Sequence, residues 1–320
     1  MYLLGIDIGG TKCAVILGKA KVCENTEDTI IAKKKFATDV KRGWQKIAAE
    51  LISTADEILK ENGITNPQEE INGIGISCGG PLNSEKGTIN CPPNLPDWDN
   101  VPIVKMFTEH FGVKTVLQND ANACAVAEWK FGAGRGTKNM MFLTFGTGMG
   151  AGLILDGKLY SGTNDLAGEV GHIRLASDGP VGYGKKGSFE GFCSGGGIAN
   201  LGLMMLENAE KNGIPTILEK DGISAKTISD AAKQGDGIAK AVYEECARRL
   251  GQALSLFIDI LNPEAIVIGS IFARDTDMFA KTVADIIKEE TLPKAGATCK
   301  ILPAQLGEHI GDFAALGLVM

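Results

Sequence analysis

Several things are missing from this chain, and each absence removes a class of function. No stretch approaches the roughly 18 consecutive apolar residues of a membrane span. The opening run MYLLGIDIGGTK lacks a basic segment followed by an apolar core and a cleavage site, so a cytoplasmic rather than secreted protein is expected. Lys and Arg form no long stripe, and 39 acidic against 32 basic residues leave a net charge of −7, which disfavours a nucleic-acid partner. The eight cysteines, at 13, 23, 78, 91, 124, 193, 246 and 299, include no Cys-x-x-Cys pair, a pattern of reduced and mostly buried thiols rather than a disulfide framework. No Pro/Ser-rich linker or low-complexity tract marks a boundary.

What is present fits a folded α/β enzyme. With 44% hydrophobic and 22% charged residues the composition is that of a globular protein. Its 320 residues exceed what one core serves, so two lobes of roughly 120 to 190 residues are expected, with a cleft as the default ligand site. YLLGIDIGGTKCAVILG reads as an apolar strand, a Gly-Gly turn and a second strand. NMMFLTFGTGMGAGLILDGKL repeats that pattern, and laying residues 141–155 over 3–17 sets Gly148 opposite Gly10. Helical spacing predicts helices over 44–59, 198–212, 236–260 and 277–290, and the GDFAALGLVM tail predicts a final one. Buried strands that run into a turn are expected within 71–81 and 265–270, and 114–129 reads as a strand that opens a helix at Gln118-Asn119-Asp120.

Two glycines in DIGGTK (7–12) permit close backbone approach, so Gly9 and Gly10 can present N–H groups to phosphate oxygens while Thr11 and Lys12 add a hydroxyl and a positive charge. Asp7, at the strand end, can hold Mg²⁺ directly or through water. Read alone, this is equally a plain hairpin turn with a solvated lysine. Thr147 and Gly148 offer a second turn of the same chemistry, and two such turns suit phosphoryl transfer, where catalysis is mostly positioning and charge stabilisation.

The ordered set DIGGTK, GISCGGPLN…CPPNLPDW, QNDANACAVAE, FGTGMGAGLILDGKL and AGEVGH resembles the ROK family of bacterial sugar kinases and sugar-responsive repressors, from residue 3 to the tail. The resemblance implies an α/β, actin-like (sugar kinase or ribonuclease H-like) fold, two lobes around a nucleotide and sugar cleft. We place the small lobe at 1–119 plus a C-terminal helix at about 308–320, and the large lobe at 120–307. It further implies ATP with Mg²⁺, small-molecule partners only, and a homodimer or dimer of dimers. Asp120 matches the catalytic base that takes the proton of the sugar hydroxyl; alone, it would read as a helix N-cap. Asn94, Asn119, Glu169, His172 and Glu190 match sugar-contacting positions, whose amides, carboxylates and imidazole suit vicinal hydroxyls. Gly269 matches the adenosine approach, where Ser270 and Ile271 depart from the usual Gly-Gly.

The main departure lies in GEVGHIRLASDGPVGYGKKGSFE. Zinc-binding members carry C-x-C-G-x-x-G-C-x-E after the histidine, whereas Val181, Tyr183 and Ser188 stand at those cysteine positions. Such side chains do not form a thiolate cage, so no structural zinc is expected. We expect the loop to be held by packing of Val181, Tyr183 and Phe189 and by its glycine turns, and Lys185 and Lys186 to be solvated. The implied activity is ATP-dependent phosphorylation of a hexose, glucose to glucose 6-phosphate first. An N-acetylmannosamine or other N-acetylhexosamine kinase stands as the alternative. A sugar-sensing regulator is the other class; repressors place a helix-turn-helix domain ahead of a hairpin that here begins at residue 3.

Overall fold

The computed structural model describes residues 1–21, 23 and 26–320, which form two compact units. The first comprises Met1–Gly136, Gly152–Ala167 and Gln305–Met320; the second comprises Thr137–Ala151 and Gly168–Ala304.

In the first unit, strands Tyr2–Ile8 and Lys12–Lys19 pair antiparallel across the DIGGTK turn, and Ile30–Ala37 extends that edge. On the other side, Ile71–Cys78 and Thr115–Asn119 join in parallel, giving a five-stranded mixed sheet. The two faces of the strands are buried separately, as the period of two requires. Leu4, Ile6, Ile8, Val15 and Leu17 enter the core shared with the Trp44–Glu61 helix and with Phe107 and Phe111. Leu3, Ala14 and Ile16 meet Leu316 of the C-terminal helix Ile310–Gly317. That helix comes close because the sheet has glycine under it: a Cβ on Gly75 would lie 2.0 Å from Ala315 O.

The unit boundary differs from the expected break at 119/120. Helix Asp120–Phe131 stays with the first unit because it packs on the C-terminal helix, with the Phe131 and Phe313 rings 5.0 Å apart. Glu128, fully buried in that helix, reinforces the arrangement. Its carboxylate accepts the N–H groups of Gln305 at 3.0 Å, Leu306 at 2.9 Å and Ala133 at 2.8 Å. A buried carboxylate with three donors cannot be separated from them without leaving a charge unpaired. Gly152–Ala167 also returns to this unit, where Gln118 Nε2 donates to Ser161 Oγ (2.9 Å) and Ser84 binds Asp165 through backbone and hydroxyl.

The second unit is built on the parallel strands Met140–Leu143, Ala265–Ile268 and Lys300–Pro303. Its longest helix, Gly237–Leu261, buries Val242, Cys246, Leu250, Leu254 and Phe257 and packs against Thr276–Glu290. Asp236 caps it by accepting Ala239 N–H at 2.8 Å. The Phe279 ring gathers Phe145 (5.6 Å), Tyr243 (5.3 Å) and Phe272 (5.6 Å), which puts an aromatic floor beside the 144–150 turn. No helix among the described residues is long and apolar enough to cross a membrane.

Candidate active site

The two glycine turns resemble each other in what they leave unbonded. In the first, Gly9 N–H closes on Lys12 O at 3.1 Å, and the N–H groups of Gly10 and Thr11 donate to no backbone carbonyl. In the second, Thr144 N–H bonds Gly150 O and Gly146 N–H bonds Gly148 O, both at 3.0 Å, while the N–H groups of Thr147 and Gly148 find no acceptor among the described residues. Each tip therefore offers two backbone donors and a threonine hydroxyl, the concave donor set that suits phosphate oxygens.

Around the first turn the fold assembles Asp7, Asn94, Asn119 and Asp120. Asn94 sits on an exposed turn pressed against Gly10, where a Cβ would lie 2.6 Å from Asn94 O. Asn119, the last residue of its strand, is the helix N-cap: its Oδ1 accepts Asn122 N–H at 2.8 Å. Asp120 therefore occupies the first helical position rather than the cap, and its Oδ1 accepts Ala121 N–H at 2.8 Å. Solvent still reaches the Asp120 side chain, yet the protein packed around it removes enough water to raise its pKa above the ordinary carboxylate value. Asp7 is pushed up to about 6, first by burial, then by the charges of Asp312 and Asp120, against the lowering effect of Lys33 and Lys12. Asp312 was not foreseen as part of this site. It reaches Asp7 because the glycine-based docking of the C-terminal helix carries it there, and Lys33 forms an ion pair with it.

Around the second turn the fold assembles Gly148, Glu169, His172 and Glu190. Glu190 Oε2 accepts Met149 N–H at 3.0 Å and stands where a Cβ on Gly148 would come within 2.8 Å. The short helical turn Val170–His172 lies against the same strand start, since a Cβ on Gly171 would meet Met149 O at 2.5 Å and Glu190 Cβ at 3.2 Å. Glu169 and His172 are exposed on that turn, and neither the Glu169 carboxylate nor the His172 imidazole makes a hydrogen bond among the described residues. Gly269 is buried beneath, its N–H on Leu143 O at 2.9 Å, and Ser270 follows in the left-handed region at φ 48°. Beyond it, Ile271, Arg274, Asp275, Tyr243, Ser229 and Lys226 line a cavity of about 340 Å³ that sequence spacing did not reveal.

The loop 176–190 is held differently from expectation. Val181 and Tyr183 are 48% and 65% exposed, so neither packs into a core; Phe189 is fully buried, 6.0 Å from the Phe257 ring. The anchoring comes from polar groups instead. Buried Ser188 donates to Gly182 O at 3.2 Å and accepts Gly191 N–H at 3.1 Å. Gly187 O accepts the N–H groups of Leu175 and Ala176, and Arg174 Nη1 donates to Lys186 O at 2.6 Å. Lys185, expected to be solvated, donates to His172 O at 2.6 Å.

No group of three or more His, Cys, Asp or Glu side chains among the described residues converges on a metal-sized point. Asp7, in the field of two further carboxylates, is an oxygen donor of the kind that suits Mg²⁺ shared with phosphate oxygens and water.

The ROK family model matches residues 3–320. A glucokinase of Thermotoga maritima is 30% identical, over 100% of this chain and 97% of its own length. A xylose repressor of Caldicellulosiruptor bescii is 26% identical over 99% of this chain and 78% of its own length. Among solved structures, a ROK family glucokinase from Streptomyces griseus in complex with glucose and AMPPNP superposes with a TM-score of 0.70 at 29% identity, covering 99% of both chains. The fold is that of the actin-like sugar kinases, and the chain belongs to the ROK family.

Proposed function

We propose that this sugar kinase transfers the γ-phosphoryl group of ATP to a hexose, glucose first among them, giving glucose 6-phosphate. The observation that carries this reading is the pair of turns with unspent N–H groups, one of them beside a carboxylate, Asp120, that is free of capping duty.

In this reading Gly9, Gly10, Thr11 and Lys12, and in the second unit Thr147 and Gly148, bind phosphate oxygens. Gly269 and the cavity beyond it take the nucleoside end. Asn94, Asn119, Glu169, His172 and Glu190 orient the sugar through its hydroxyls. The 6-hydroxyl oxygen attacks the γ-phosphorus, the bond to the β,γ-bridging oxygen breaks, ADP departs and the hydroxyl proton passes to Asp120. A raised pKa suits a base that must accept a proton late in a loose transition state. Asp7 would help to hold Mg²⁺, which when bound would neutralise charge on the phosphate oxygens. The same family membership carries the proposal of a homodimer or dimer of dimers, which sedimentation velocity of the purified protein checks.

The test is a coupled ADP-release assay with ATP and Mg²⁺ over glucose, mannose, fructose, N-acetylglucosamine and N-acetylmannosamine. The expected result is the highest kcat/KM for glucose. A higher value for N-acetylmannosamine would move the chain to the alternative substrate, and turnover with none would end the kinase reading.

A further inference from the structure

The 168–190 segment contains a small hairpin whose tip touches the residue proposed to hold the sugar. Val181–Gly182 pairs antiparallel with Lys185–Lys186, and the two residues between, Tyr183 and Gly184, are both left-handed, at φ 50° and 67°. Positive φ at both central positions is the type I′ turn, which matches the twist of the flanking strands. Gly184 adopts it without strain; Tyr183 does not, because its Cβ crowds the backbone there. A large aromatic residue in a strained conformation, 65% exposed, asks for a reason.

The reason on hand is His172. Its imidazole lies against the Tyr183 ring with centroids 4.1 Å apart and planes inclined by 30°, an offset stack. The hairpin is strapped to the same turn by the Lys185 bond to His172 O, and its base is pinned by the buried Ser188 hydroxyl. Among the described residues the exposed imidazole has no hydrogen bond to fix its plane. Without a neighbour it would rotate freely about its terminal torsion, which is broad and roughly two-fold.

We propose that Tyr183 is a positioning residue for the sugar site: its ring fixes the plane of the His172 imidazole, so that the ring nitrogens meet substrate hydroxyls in one orientation. The role of His172 toward a hexose rests on the function proposed above; the stack itself does not.

The experiment compares Tyr183→Phe, which keeps the ring, with Tyr183→Ala, which removes it, by two readouts. The first is the imidazole proton NMR spectrum, where only His110, His172 and His309 contribute and His→Gln variants assign each. Ring-current shielding of the His172 protons is expected in the parent and in Tyr183→Phe, and is expected to vanish in Tyr183→Ala. The second readout is kinetic. Tyr183→Ala should raise KM for the hexose about fivefold, the scale of an aromatic pair, with kcat and KM for ATP within about twofold of the parent. Tyr183→Phe should match the parent. His172 signals unmoved in Tyr183→Ala would overturn the proposal, as would an unchanged hexose KM or a Tyr183→Phe variant as impaired as Tyr183→Ala. If the parent phosphorylates no hexose, the functional reading fails, and the NMR comparison still decides whether the stack exists.

Discussion

The DIGGTK turn and the 168–190 segment are held in place by different means. DIGGTK joins two strands of a five-stranded sheet, and its position follows from backbone register, Asp7 opposite Ala14 and Ser77, Ile8 opposite Cys13 and Cys78. The second turn also joins neighbouring strands of a five-stranded sheet, Met140–Leu143 and Ala151–Leu155, and Gly195 N–H and Ile271 N–H donate to its Gly146 O and Phe145 O. The 168–190 segment beside it is tied by side chains instead: Glu190 on Met149 N–H, Lys185 on His172 O, Arg174 on Lys186 O and Ser188 on Gly182 O. A backbone ladder tolerates changes of side chain and resists displacement. A lattice of side-chain bonds can be retuned one residue at a time. The two regions should therefore respond differently to substitution.

Four measurements break or sharpen this contrast. The largest effect is expected from Asp120→Asn, which should lower kcat about 10²- to 10⁴-fold while hexose binding, read by calorimetry, stays within a few-fold. Next, Gly10→Ala should be far more damaging than Gly148→Ala. In the first turn the new methyl meets Asn94 O at 2.6 Å and Asn94 Cβ at 2.8 Å, so the 92–97 turn must move, and about 10²-fold in kcat/KM should be lost. In the second it meets only the far end of Glu190, which can swing, and a loss of about tenfold or less is expected; equal losses would erase the distinction.

Stability tells the two regions apart as well. With its folded pKa raised from 3.8 to about 6, Asp7 binds its proton more tightly in the native state than in the unfolded chain. Its contribution to stability is therefore present in full below pH 3.8 and is lost as pH rises through about 6. Asp7→Asn should stabilise the protein at pH 8 by on the order of 1–3 kcal/mol, toward the lower end because the group is partly solvated, and by nothing measurable near pH 3.5. Paired thermal melts at the two pH values check this, and a gain of equal size at both would point away from charge. Ser188→Ala instead removes a buried hydroxyl that serves both a carbonyl and an N–H, and should cost about 1–2 kcal/mol in denaturant unfolding at any pH from 6 to 8.

The same contrast explains what could be read from the sequence. The strands and turn of residues 2–19, the strand-to-helix junction at Asn119-Asp120, the Gly237–Leu261 helix and the Ala265–Ile268 strand all follow from apolar periodicity broken by glycine or a capping residue. Strand Ile30–Ala37 was missed. As a sheet edge it carries Lys33, Lys34 and Lys35, which break the alternation of a half-buried strand. Asp312 was hidden in an apolar tail, and only the docking of that helix shows that it faces Asp7. In the 176–190 loop, the family resemblance located the positions that replace cysteines, but assigning Val181 and Tyr183 to core packing was incorrect. An exposed ring stacked on a histidine and a lysine bound to a carbonyl leave no periodic trace. The unit boundary escaped for a related reason, since two of the three bonds made by Glu128 join residues more than 170 positions apart.

The central claim is tested most directly by identifying the product. The protein, ATP, Mg²⁺ and glucose are incubated together and followed by proton-coupled ³¹P NMR. The account predicts a new phosphomonoester signal split into a triplet by the two protons of C6, growing in step with ADP. ADP formation without a sugar phosphomonoester, or a doublet from phosphate on a ring carbon bearing one proton, would contradict it.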